Sequence, residues 1–141
     1  MIELATPKTA NFVAANLKDD EICVLEYGRE DAAAICFNTA KTSIMSWAVI
    51  GKEGLPVCLF GADGDKGDDW GSAWMFSTPL IAGSKLETIR GIRKAVAFSR
   101  SHWPELRIHA EDRTPEQIRF IRLLGFAPSD DDERTMISVG R

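Results

Sequence analysis

Apolar and polar positions change their period several times along this chain, and each change marks an element. Leu86, Ile89, Ile92 and Val96 recur at helical spacing, with Arg90, Arg93, Lys94 and Arg100 mostly on other faces, which predicts a long amphipathic helix. Leu106 to Ala110 alternates and is short, so it reads as a strand. Thr114 suits an N-cap, Pro115 the first helical position, and Gln117 completes a capping box. Ile118, Ile121 and Leu124 then carry a second helix to Gly125, which ends it. This is a right-handed strand–helix–strand–helix unit of an α/β sheet.

The first half reads less sharply. Ile2–Ala5 is a candidate edge strand, followed by a helix from Pro7 through Leu17 with Thr6 as its cap. A short amphipathic piece begins at Asp19-Asp20-Glu21 and ends near Gly28, and Glu30–Thr39 is a third helical candidate. From Ser43 the period turns to that of strands. Met45–Ile50 and Leu55–Phe60 form a hairpin around Gly51–Gly54, and Ala73–Thr78 is a third strand stopped by Pro79. The Gly61–Gly71 stretch is expected to be a flexible loop that tolerates shortening, and Asp130–Glu133 an exposed acidic turn before a last strand, Thr135–Val139. Periodicity alone says α/β or α+β with a mixed sheet.

With 141 residues, 45% hydrophobic and 27% charged, the chain has one domain's worth of core, spanning residues 1–141. It shows no membrane-spanning run and no signal-peptide pattern. A net charge of −4 argues against sequence-independent nucleic-acid binding, and the arginines of the long helix read as a solvated surface. Cys23, Cys36 and Cys58 are scattered in apolar contexts and read as buried thiols of a reducing compartment. The aspartates at 63, 65, 68 and 69 lack the ligand spacing and closing glutamate of a calcium loop, so no metal is expected. Of the tryptophans, Trp47, Trp70, Trp74 and Trp103, most read as core.

The order of elements, with LKDDEICVLEYGREDAAAICFNTAKTS, GLPVCLFG, WMFSTPLI and IRFIRLLGF at their positions, resembles the GNAT superfamily of acyl-CoA N-acyltransferases. The span from Thr6 to Phe126 is similar to GNAT-like proteins of short-tailed bacteriophages, some of them internal virion proteins. The resemblance implies a GNAT-like mixed, mostly antiparallel sheet flanked by helices on both faces. It also implies acetyl-CoA or another acyl-CoA as donor. The pantetheine arm would lie between the fourth and fifth strands, beside Phe76, Thr78 and Leu80, with the pyrophosphate at Gly83, Ser84 and Lys85 before the long helix. Gly83-Ser84 also reads as a plain turn and N-cap, because the family's usual glycine pattern is absent. Many GNAT enzymes carry a tyrosine general acid four residues before the glycine of LGF. Here that position is Ile121, and Tyr27, the one tyrosine, lies elsewhere. Glu111, after the strand flanking the cleft, is the candidate base, against a reading as a solvated carboxylate; His109 reads as a cross-sheet partner.

Two roles follow from the resemblance. One is a phage- or prophage-encoded N-acyltransferase acting on a small-molecule or protein amine. The other is a non-catalytic virion or assembly protein whose partners are other phage proteins. Either places the chain in the host cytoplasm, the second also in the particle, and homo-oligomerisation stays open.

Overall fold

The computed structural model describes residues 1–139. Seven strands form one sheet in the order β1-β2-β3-β4-β5-β7-β6: β1 (Ile2–Leu4), β2 (Met45–Ile50), β3 (Pro56–Asp63), β4 (Trp70–Ser77), β5 (Glu105–His109), β6 (Ala127–Pro128) and β7 (Thr135–Val139). Every neighbouring pair is antiparallel except β4 and β5. Helices α1 (Pro7–Ala15), α2 (Ile22–Tyr27) and α3 (Arg29–Thr42) precede β2, α4 (Lys85–Ser99) joins β4 to β5, and α5 (Pro115–Leu123) follows β5.

Alternation along the strands divides the interior into two layers. Met45, Trp47, Val49, Phe60, Ala73, Leu106 and Ile108 turn to the side of α4 and α5, where they meet Ile92, Val96, Ile121 and Leu124. Ala48, Leu59 and Phe76 turn to the other side and pack on Val13, Leu17, Ala32 and Cys36 of the first helices. Helices therefore cover both faces of a mixed, mostly antiparallel sheet. The two thiols Cys58 and Cys36 fall one in each layer, and burial pushes both up to about 12.

The end signals of α5 are made as the chain spells them. Thr114 Oγ1 accepts from Gln117 N at 3.1 Å, and Gln117 Oε1 accepts from Thr114 N at 2.9 Å. Gly125, at φ 107°, closes the helix.

Two expectations need correction. Leu86 does not join the core and is 57% exposed. The stripe that α4 buries runs through Thr88, Gly91, Ile92, Ala95, Val96 and Ser99, and Leu86 lies two residues before Thr88, roughly 200° around the helix from it. The Gly61–Gly71 stretch is not a free loop, because β3 continues to Asp63 and β4 begins at Trp70. Trp103, fully buried, donates its indole N–H to Asp65 O at 3.0 Å. It also packs on Gly71, where a Cβ would come within 2.5 Å of the indole ring. The loop is pinned from beneath by the core.

Candidate active site

The sheet opens at one place. β4 and β5 pair in parallel from Trp70 with Glu105 to Ala73 with Ile108, but β4 runs on to Ser77 while β5 stops at His109. Thr78 donates its backbone N–H to Val57 O on β3, so by strand alternation the peptide groups of Ser77, and of Met75 two residues back, face the opening. A cleft of about 400 Å³ lies there. Met75 and Ser77 line it from β4, Ile81, Lys85 and Ile89 from the turn and helix after it, Arg113 from the β5–α5 turn, and Gln117, Phe120 and Ile121 from α5.

The fourth wall is the connection between α1 and α2, Lys18–Glu21. It fills the place a fifth strand would take beside Ser77. Lys18 N donates to Ser77 O at 3.0 Å, and Ser77 N donates to Glu21 Oε1 at 2.7 Å. Arg29 of α3 holds the same connection by donating to Leu17 O at 2.9 Å and by pairing with Asp19. From the far side Gln117 Nε2 donates to Asp20 O and Asp20 Oδ2, at 3.3 and 3.4 Å.

The proton affinity of the Glu21 carboxyl is moved far from its ordinary value. Burial pushes it up to about 7, against the opposing pull of the Ser77 N–H and, beyond ion-pair distance, of Arg113. The Arg113 guanidinium is itself lowered by burial and supported by Glu21. Its Nε donates to His109 O at 2.6 Å, which aims it from the end of β5 across the opening. Asp112, just before it, takes a left-handed φ of 64°, a conformation aspartate tolerates better than most residues.

The residues singled out from sequence divide. Lys85 lines the cleft. The Phe76 side chain lies on the opposite face of the sheet, packed with α1 and α3, and by the same alternation its peptide N–H turns toward β3. Thr78 is fully buried, donating its hydroxyl to Val57 O at 2.9 Å and accepting from Leu80 N at 3.2 Å. Leu80, Gly83 and Ser84 border a separate depression beside the β2–β3 turn, and Ser84 is buried beneath Gly51, where a Cβ would stand 2.7 Å from Ser84 Oγ. Ser84 makes no side-chain cap on α4. Glu111 is exposed and lies outside the lining of the cleft, near Arg134. His109 stands opposite Thr135 on β7, Tyr27 is 58% exposed on α2, and Ile121 is fully buried. Glu21, Ser77 and Arg113, which sequence reasoning passed over, form the polar centre. The one sequence signal for them was the acidic run Asp19-Asp20-Glu21 at the entry to α2.

Among the described residues, no group of three or more His, Cys, Asp or Glu side chains could hold a metal. No described helix is long and apolar enough to cross a membrane.

No family model matches the chain, and no curated protein matches it in sequence. Its backbone has close counterparts among solved structures. A chimera of the Vibrio cholerae spermidine N-acetyltransferase superposes with a TM-score of 0.68 at 12% identity, over 99% of this chain and 95% of that one. The PaiA N-acetyltransferase of Thermoplasma acidophilum, in complex with coenzyme A, gives 0.69 at 10% identity, over 99% and 98%. A GNAT-family acetyltransferase from Bacillus anthracis gives 0.66 at 9% identity, over 98% and 93%. This is the GNAT fold. At such identities the likeness concerns backbone, and the chemistry must be argued from the cleft itself. Here the break between β4 and β5 is lined by charged groups of both signs.

Proposed function

We propose that the protein is an acyl-CoA-dependent N-acyltransferase that seats its thioester donor in the β4–β5 opening. The observation that carries this reading is the run of β4 beyond Ala73 that has no strand partner on the β5 side, where the Met75 peptide group faces the cleft while that of Ser77 is taken by Lys18 and Glu21. A pantetheine arm carries amide groups of its own, which pair with such an edge as a short strand does. Lys85 stands where the arm leaves the cleft at the start of α4, and the first-turn amides of that helix have no intrahelical acceptor. Both favour the pyrophosphate end of CoA, so Lys85 keeps the role the resemblance implies and the first-turn amides stand in for Gly83 and Ser84. On the acceptor side, Asp20, Glu21 and Glu116 favour a cationic amine.

The test is calorimetric titration with acetyl-CoA and with free CoA, followed by thiol release from acetyl-CoA in the presence of spermidine, an aminoglycoside and a lysine peptide. Binding of acetyl-CoA and turnover of at least one amine are expected. A folded protein that binds neither nucleotide at millimolar concentration sinks the reading.

The second reading is a catalytically silent GNAT-like protein of phage origin, used in a virion or its assembly. One observation favours it: Ile121 is fully buried where many GNAT enzymes carry the tyrosine that protonates the leaving thiolate. Mass spectrometry of purified phage particles separates the two readings, since an assembly protein enters the particle and a host-modifying enzyme remains in the cytoplasm.

A further inference from the structure

Two opposite charges face each other across the cleft without meeting. Arg113 stands in the turn after β5 and Glu21 on the α1–α2 connection, close enough for each to favour the other's charge but beyond ion-pair distance. We propose that the acceptor is an amino acid, whose carboxylate is gripped by the Arg113 guanidinium while its ammonium group turns to Glu21. The inference rests on the acyl-CoA reading above and narrows the acceptor within it.

The Arg113 fork is positioned and left unused. Its Nε–H goes to His109 O at 2.6 Å, and an arginine has four further N–H donors, on Nη1 and Nη2. Those make no hydrogen bond or ion pair within the described residues. Every buried side-chain nitrogen and oxygen among the described residues is paired, so the Nη groups of this half-buried side chain meet open space, and Arg113 lines the cleft. The backbone on either side of it is fixed, since His109 pairs with Thr135 and Thr114 caps α5. A guanidinium held in this way loses little freedom on binding, and its planar fork matches a carboxylate through two parallel hydrogen bonds. Burial already disfavours its charge, a cost that an anionic group of the ligand offsets.

The rest of the cleft decides which anion. Lys18 is taken by Asp20 at 3.6 Å, and Lys85 stands at the start of α4, on the side given to the pyrophosphate of CoA. A phosphate on Arg113 would bring up to two negative charges toward Asp20, Glu21 and Glu116. A carboxylate brings one, and in an amino acid its own ammonium accompanies it. Glu21 spends Oε1 on the Ser77 N–H, which leaves Oε2 for that ammonium. Polyamines and aminoglycosides carry ammonium groups without a carboxylate and would leave the guanidinium unpaired.

The experiment compares acceptors that differ in one group. Thiol release from acetyl-CoA is measured with each of the common amino acids and with the amine that each leaves on decarboxylation, such as cadaverine for lysine. At least one amino acid should turn over with kcat/KM roughly 100-fold above that of its decarboxylated partner. Arg113→Gln should abolish this advantage, chiefly through KM, while activity with the decarboxylated amine and affinity for acetyl-CoA stay as in wild type. Arg113→Lys, which keeps the charge without the fork, should recover only part of the advantage. The decarboxylated amine is the control for folding, because a variant that merely distorts the cleft loses activity on both compounds. Equal or better turnover of the decarboxylated amines, no turnover of any amino acid by a protein that binds acetyl-CoA, or an R113Q that keeps the advantage, loses both activities alike or loses acetyl-CoA affinity overturns the proposal and leaves the acyl-CoA reading in place. Failure of folded wild type to bind acetyl-CoA removes both.

Discussion

Gln117 and Asp20, 97 positions apart, are joined across the cleft by one amide group. Its nitrogen donates to Asp20, and its oxygen accepts from Thr114 N at the start of the same helix. The capping box that starts α5 is thus also the latch that holds the α1–α2 connection. Replacing Gln117 by Ala should cost about 1–2 kcal/mol through the cap. It should also loosen the connection, and amide exchange at Ser77 and Lys18 measured by mass spectrometry should quicken relative to the β2–β3 ladder. Unchanged protection at both would show that Arg29 and the Ser77 hydrogen bonds hold the segment without Gln117.

Stability should depend on pH through Glu21. Its proton affinity in the folded chain, about 7, lies above the ordinary value of 4.5, so the folded state binds the proton more tightly than the unfolded one. The contribution is fully present below about pH 4.5 and is lost as pH rises through about 7. Denaturant titrations should therefore show E21Q gaining on wild type between pH 5 and pH 8. A constant difference across that range would contradict the burial argument.

Ile108 is 1% exposed at the last position where β5 pairs with β4. Ile108→Asp would bury a carboxylate without a partner and should cost several kcal/mol, on the order of 3–5. Chemical denaturation gives the number directly.

Filling the missing position of the general acid should not rescue anything. Ile121 has no exposed surface although it borders the cleft. In Ile121→Tyr, whatever part of the ring the cleft does not take up must crowd the core beside Leu124, an overpacking cost of about 1–3 kcal/mol. Melting temperature should fall, and thiol release should not rise. A faster reaction in I121Y would show that the pocket opens more readily than its packing suggests.

Removing Asp65–Asp69 should destabilise the protein, contrary to what the composition of that stretch suggests. The deletion takes away the acceptor of the buried Trp103 indole and strains the β3–β4 connection. A loss of at least about 1 kcal/mol is expected for the orphaned donor alone. Near-wild-type melting of the shortened chain would return the loop to the dispensable surface.

The fold was legible because its signals are local. Thr114, Pro115, Gln117 and Gly125 name both ends of α5 within a dozen residues, and the strand period through Met45–Ile50 and Leu55–Phe60 names a hairpin. The site was not, because it is made of register. Whether Phe76 or Ser77 faces the opening depends on Cys58 standing opposite Ser77, a one-residue choice that composition does not set. Glu21 finds Ser77 only once α1, α2 and β4 have assembled. The acidic run that contains Glu21 looks, in sequence, like any solvated turn.

The two deeply buried thiols have a use of their own. Cys58 lies in the α4–α5 layer and Cys36 in the α1–α3 layer, each held protonated and out of reach of alkylating reagents. Each can react only when its own layer opens, so the two labelling rates, read from one sample, act as separate clocks for the two halves of the molecule. Equal rates would mean that the sheet gives way as a unit, and a faster Cys36 that the helical cover nearest the Glu21 connection breathes first.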